Sequence, residues 1–126
     1  MRAEILAIAV TLVALAACAA PRQNARNTAI TLTGGDPDRG KAAITKYGCS
    51  SCHDIPGVPG ATATVGPPLD NIAVRSVLGG HLPNTPENME HWIRKPQEVD
   101  PNNVMPNMDV TEQDARDIAA YLYTLQ

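Results

Sequence analysis

Cys49-Ser50-Ser51-Cys52-His53 is the stretch that decides how this chain folds. Two thiols three positions apart, followed at once by an imidazole, make a C-x-x-C-H pattern. That pattern is the signature of c-type haem attachment. The spacing has a chemical reason. Two thiols reach the two vinyl groups on one edge of a porphyrin, and the adjacent imidazole swings under the ring to meet the iron. Three other uses compete. A zinc site takes four ligands, and His81 and His91 would have to complete it from surroundings that carry no supporting motif. A thioredoxin-like dithiol needs a strand–helix–strand context, and no alternating strand pattern is visible. A Cys49–Cys52 disulfide is open to an exported chain but leaves the small core unexplained.

The composition makes that core a real problem. The chain has 126 residues, about one domain's worth, with 44% apolar residues but no Phe. Its only aromatics are Tyr47, Trp92, Tyr121 and Tyr123. A small domain this poor in aromatic volume needs a metal, a disulfide or a cofactor. Ten Lys+Arg against 13 Asp+Glu give a net charge of −3, which argues against a nucleic-acid binder.

Upstream, Ile5 to Ala17 is an uncharged run, mostly Ala, Leu, Ile and Val. It is shorter than the ~20 residues of a membrane-spanning helix and fits the apolar region of a signal peptide over 1–17. Leu15-Ala16-Ala17-Cys18 resembles the lipobox of bacterial lipoproteins, in which cleavage before the Cys leaves its thiol carrying a diacylglycerol. Ordinary cleavage after Ala17-Cys18-Ala19 would instead discard Cys18. Both readings export the protein, to the periplasmic side of a bacterial membrane, lipid-anchored in the first case and soluble in the second. Residues 18–35 then read as a lipidated Cys and a flexible tether. As a random coil the tether spans roughly 20–25 Å.

Downstream, Asp36-Pro37 opens a helix. Gly40, Ile44 and Tyr47 share one face of it, and Gly48 stops it. Asp54 to Val65 is a loop. Leu69, Ile72 and Ala73 suit one helical turn after Pro67-Pro68, and Gly79 to Asn84 is a second loop. Thr85-Pro86-Glu87 starts another helix, with Met89, Trp92 and Ile93 on one face and Pro96 at its end. Gln97 to Asp109 reads as an extended loop. Thr111 caps a last helix whose buried stripe is Ala115, Ile118, Ala119, Leu122 and Leu125. The expected fold over 36–126 is a small all-α domain wrapped around one covalently bound haem.

With C-x-x-C-H after a first helix and Met105-Pro106 before a last one, the chain resembles a class I cytochrome c from Asp36 to Gln126. Gly66-Pro67-Pro68-Leu69 with Arg75 is similar to that family's Gly-Pro-x-Leu…Arg segment. The resemblance implies that the Pro67 carbonyl accepts the His53 Nδ1 proton, that Leu69 packs on the haem, and that Arg75 approaches a propionate. It implies Met105 as the axial partner of His53, with Met108 as the rival, and Trp92 lining the pocket. Gly40 and Tyr121 look like the family's crossing of first and last helices. Leu82 to Asn88 and Trp92 to Pro96 are similar to cytochrome c domains associated with bacterial haem–copper oxidases. The implied function is one-electron transfer by haem c held through Cys49 and Cys52, with no substrate bond made or broken. A terminal oxidase, a bc-type complex or a dehydrogenase would be the redox partner. Two alternatives stay open: a gas-binding or peroxidase-type protein with a labile sixth ligand, and a structural haem subunit of a respiratory complex. One departure is electrostatic. Mitochondrial members carry a lysine-rich docking face, whereas from Asp36 onward twelve acidic residues here outnumber seven basic ones.

The lipobox reading predicts that Cys18→Ser moves the protein from the membrane to the soluble fraction. Unchanged membrane association would point to a protein partner instead.

Overall fold

The computed structural model describes residues 21–126. The expected signal peptide over 1–17 and the expected lipidation of Cys18 fall outside the described residues.

Residues 21–33 form helix α1, which corrects the expected flexible tether. The helix docks through small side chains four apart: Ala25 is half-buried, and Ala29 and Thr33 are buried. Such a stripe carries little apolar signal, so the period was not visible. Arg26 ties it down with a two-pronged pair to Asp38, at 2.7 and 3.0 Å. Thr33 Oγ1 donates to the Ala29 carbonyl and accepts from the Gly35 amide, closing the helix end.

Helix α2 spans Pro37–Lys46, with Asp36 accepting from the Asp38 and Arg39 amides. Helix α3 spans Pro86–Arg94 under a Thr85 cap, and α5 spans Glu112–Leu122 under Thr111. Each cap is the one the sequence marks. Two loops hold more structure than expected. Pro96 begins a short helix, α4 (Pro96–Val99), as well as ending α3, because proline suits a first helical position. Strands β1 (Val77–Leu78) and β2 (Leu82–Pro83) form a two-rung antiparallel hairpin. It turns over Gly79 and Gly80, both at positive φ. A 3-10 turn covers Ile72–Val74.

Helix α5 packs against α2 and α3. The α2–α5 crossing is close enough that only glycine fits at position 40. A Cβ there would lie 1.9 Å from the Asp117 carbonyl oxygen. Tyr121 lies one turn beyond Asp117 on α5; its hydroxyl donates to the Pro56 carbonyl at 2.7 Å and fastens the 54–65 loop. Tyr47 and Tyr123 make similar ties, to Asp114 at 2.6 Å and to Asn84 at 2.7 Å. The core is otherwise Ala, Val, Ile and Leu with Met89.

Asp117 is the buried charge at the crossing, 1% exposed. It accepts from the Asp36 amide at 2.7 Å, from Arg39 at 2.8 and 3.0 Å, and from Gln113 at 3.1 Å. Burial alone would push its carboxyl up. The Arg39, Asp36 and Gln113 hydrogen bonds outweigh that and hold it below the usual value. Backbone amides lower Asp36, and the Tyr47 hydroxyl and Lys46 lower Asp114. Depressed carboxylates contribute stability above their unfolded value of about 4 and lose it as pH falls through the folded values. Thermal melts followed by circular dichroism should therefore shift down below about pH 4. Asp117→Ala should cost about 2 kcal/mol at neutral pH and flatten part of that acid slope. A variant melting like the wild type at both pH values would contradict this.

Candidate functional site

The site starts where α2 stops. Gly48 takes a left-handed conformation, φ 73°, and turns the chain into a 3-10 turn at Cys49–Ser51. The Cys52 and His53 amides both donate to the Cys49 carbonyl, at 3.2 and 3.1 Å. This winding puts two thiols and the imidazole on consecutive corners of one short coil. Both cysteines are free thiols and half-buried, so no disulfide joins them. Burial pushes the Cys49 thiol up.

The 54–69 loop then folds back over the motif. The Gly66 amide donates to the Cys52 carbonyl at 2.7 Å, and the Leu69 amide to the Asp54 carbonyl at 2.8 Å. His53 Nδ1 lies 2.7 Å from the Pro67 carbonyl oxygen. A carbonyl can only accept, so Nδ1 carries the proton and Nε2 keeps its lone pair. Gly66 lies against the ring. A Cβ there would be 2.5 Å from His53 Cε1, so the imidazole is held from one side by backbone alone.

Arg75 fastens the same loop. Its Nη2 donates to the Pro68 and Asp70 carbonyls at 2.6 and 2.7 Å. Leu69 is half-buried against the core. Thus Cys49, Cys52, His53, Pro67, Leu69 and Arg75 form one connected unit. Trp92 and Met105 are held by other elements. The half-buried Trp92 ring lies against Gly79 of the hairpin turn, where a Cβ would be 2.4 Å from the ring. Met105 is half-buried. Its amide donates to Asn103 Oδ1 at 3.0 Å, and its carbonyl accepts from Gln97 Nε2. Met108 is 37% exposed and sits between exposed Asn107 and Asp109.

Sequence reasoning missed Gln97 and Asn103. Asn103 had a usable signal, since Asn commonly bonds backbone two residues on. Gln97 had none, because its partner lies eight residues away. His81 and His91 pair elsewhere, with Asp100 at 3.4 Å and Glu98 at 3.2 Å. Among the described residues, no three His, Cys, Asp or Glu side chains gather as a metal site.

The residues present fit a covalent haem. The motif supplies two free thiols and an imidazole with Nε2 free among the described residues. Val65 and Val104, adjacent in the chain to Gly66 and Met105, are apolar side chains left 73% and 84% exposed. Asn103 Nδ2 is buried with no partner among the described residues.

Comparison with known proteins agrees with this chemistry. A sequence profile of the cytochrome c family matches residues 37–126, and the chain belongs to that family. It is 37% identical over 90 residues to cytochrome c oxidase subunit 2 of Alkalihalophilus pseudofirmus, covering 71% of this chain and 25% of that protein. The chain thus spans about a quarter of the length of that curated relative. Fold and family together define a small, all-α class I c-type cytochrome. Haem-based electron transfer is the family's activity, and covalent haem c its group.

Gly66→Ala tests the hold on His53. The new Cβ must displace the ring or the loop, which should destabilise the mature protein by about 1–3 kcal/mol. A melting temperature equal to the wild type would mean that the loop yields without cost.

Proposed function

We propose that this protein is a one-electron carrier with a single haem c bound through Cys49 and Cys52, and with His53 and Met105 as axial ligands. The observation that carries this reading is the His53 Nδ1–Pro67 carbonyl hydrogen bond. It fixes the tautomer and ring orientation that an axial histidine needs, and it raises the basicity of Nε2. When bound, haem supplies one-electron exchange at its iron, and His/Met ligation raises its potential.

The chain's own residues do the rest. The 54–69 loop holds the imidazole still, so little reorganisation accompanies a change of charge. The Met105 thioether is a soft ligand that favours the reduced state. Leu69 contributes an apolar wall. Arg75 stiffens the Pro68–Asp70 turn that carries the Pro67 carbonyl, and its cationic head would offset a propionate. No group in this set is placed to make or break a substrate bond.

The partner is a respiratory redox protein, with a terminal oxidase favoured by the likeness to an oxidase subunit. That likeness also supports a second reading, in which the domain is a fixed haem subunit of such a complex. The lipobox reading places the protein on the periplasmic side of a bacterial membrane. In that case α1, which is helical from residue 21, brings the packed domain within three residues of the anchored Cys18. The domain would then stand close to the membrane rather than swing on a long leash.

Met105→Leu should abolish the sulfur-to-iron charge-transfer band and lower the potential, while Met108→Leu should do neither. The reverse pattern would move the ligand to Met108.

A further inference from the structure

The loop that presents Met105 has little else to hold it. Pro101, Asn102, Val104, Pro106, Asn107, Met108 and Asp109 are all exposed. Ordering such a loop costs backbone entropy at every residue, and its side chains recover little of that by burial. Yet both backbone polar groups of Met105 are engaged, by Gln97 Nε2 and by Asn103 Oδ1.

Both holders lead back to α4. Gln97 is its second residue, directly after the buried Pro96. The Asn103 amide donates to the Asp100 carbonyl at 3.0 Å, and the Asp100 amide donates to the Pro96 carbonyl at 2.9 Å. The helix is braced in turn: Glu98 pairs with His91 of α3 at 3.2 Å, and Asp100 with His81 of the hairpin at 3.4 Å. A single four-residue helix thus connects α3, the hairpin and the Met105 backbone.

We propose that α4 is a bracket for the sixth ligand, with Gln97 and Asn103 as positioning residues that set how readily Met105 gives way to an outside ligand. The proposal rests on the reading of Met105 as that ligand. Gln97 and Asn103 would reach the haem only through Met105. They act by pre-ordering the Met105 backbone, so that the thioether does not pay for loop ordering each time it binds. Losing either hold makes the Met105-off state easier to reach, and a competing ligand then binds more tightly by the same factor.

The test is an imidazole titration of the ferric holoprotein, followed by absorption. Gln97→Glu and Gln97→Leu both remove the donor, one with near-identical shape and one without charge. A hydrogen bond worth about 1 kcal/mol corresponds to about fivefold. Both variants should therefore bind imidazole about three- to tenfold more tightly than the wild type. Asn103→Ala should do the same, while Asn103→Asp, which keeps the acceptor, should stay near the wild type. The Asn103 pair decides the matter if a Gln97 variant does not mature. Met105→Leu is the reference for an open site. Wild-type imidazole affinity in Gln97→Leu and Asn103→Ala, beside tight binding in Met105→Leu, would overturn the bracket and leave the ligand assignment standing. Wild-type affinity in Met105→Leu itself would overturn the assignment and the bracket with it. A lowered melting temperature with unchanged affinity would also sink the proposal, because it would make α4 a merely structural element.

Discussion

The contact on which the rest depends is the α2–α5 crossing, where Gly40 meets the Asp117 backbone and the Asp117 carboxylate gathers Asp36, Arg39 and Gln113. It anchors α2 against α5, and the thiol–thiol–imidazole coil begins at Cys49, three residues after α2 ends at Lys46. The same crossing brings Tyr47 to Asp114 and the C-terminal tyrosines to the 54–65 loop and Asn84. With no Phe available, hydroxyl-tipped aromatics serve as ties as well as filler. A buried carboxylate is a costly way to hold two helices unless every lone pair finds a donor. Asp117 finds four.

Most of the chain's charge lies away from the site, with Asp54, Asp70 and Arg75 as the exceptions. Segments 47–53, 55–69 and 101–108 contain no Asp, Glu, Lys or Arg. The chain's charges sit largely on the helices, where they pair: Arg26 with Asp38, Arg39 with Asp117, Lys46 with Asp114, Arg116 with Glu112. The acidic balance of the domain is therefore a property of its scaffold, not of the loops that carry the donors.

Much of this was legible in the sequence because the relevant physics is local. Asp36, Thr85 and Thr111 cap helices through hydrogen bonds two or three residues away, and Gly48 ends one through its own φ. The C-x-x-C-H coil is local in the same sense. What escaped depends on partners far along the chain. Asp117 lies on the buried face between Ala115 and Ile118, but its partners are some 80 residues upstream. Helix α1 docks through Ala25, Ala29 and Thr33, whose small side chains leave almost no apolar signal. Helix α4 was hidden by Pro96, a residue that ends one helix and begins the next. Gly40 was recognised as a close-approach position, but which residue of α5 it meets depends on the crossing geometry.

With the proposed ligands, a fixed histidine and a held methionine make this chain an electron carrier rather than a ligand-binding haem protein. Ferric and ferrous absorption spectra of the matured wild-type protein, with and without carbon monoxide, test it most directly. The account predicts a low-spin c-type spectrum that carbon monoxide leaves unchanged. A ferrous spectrum that shifts promptly on adding carbon monoxide would contradict it, and a gas-binding or peroxidase-type role would take its place.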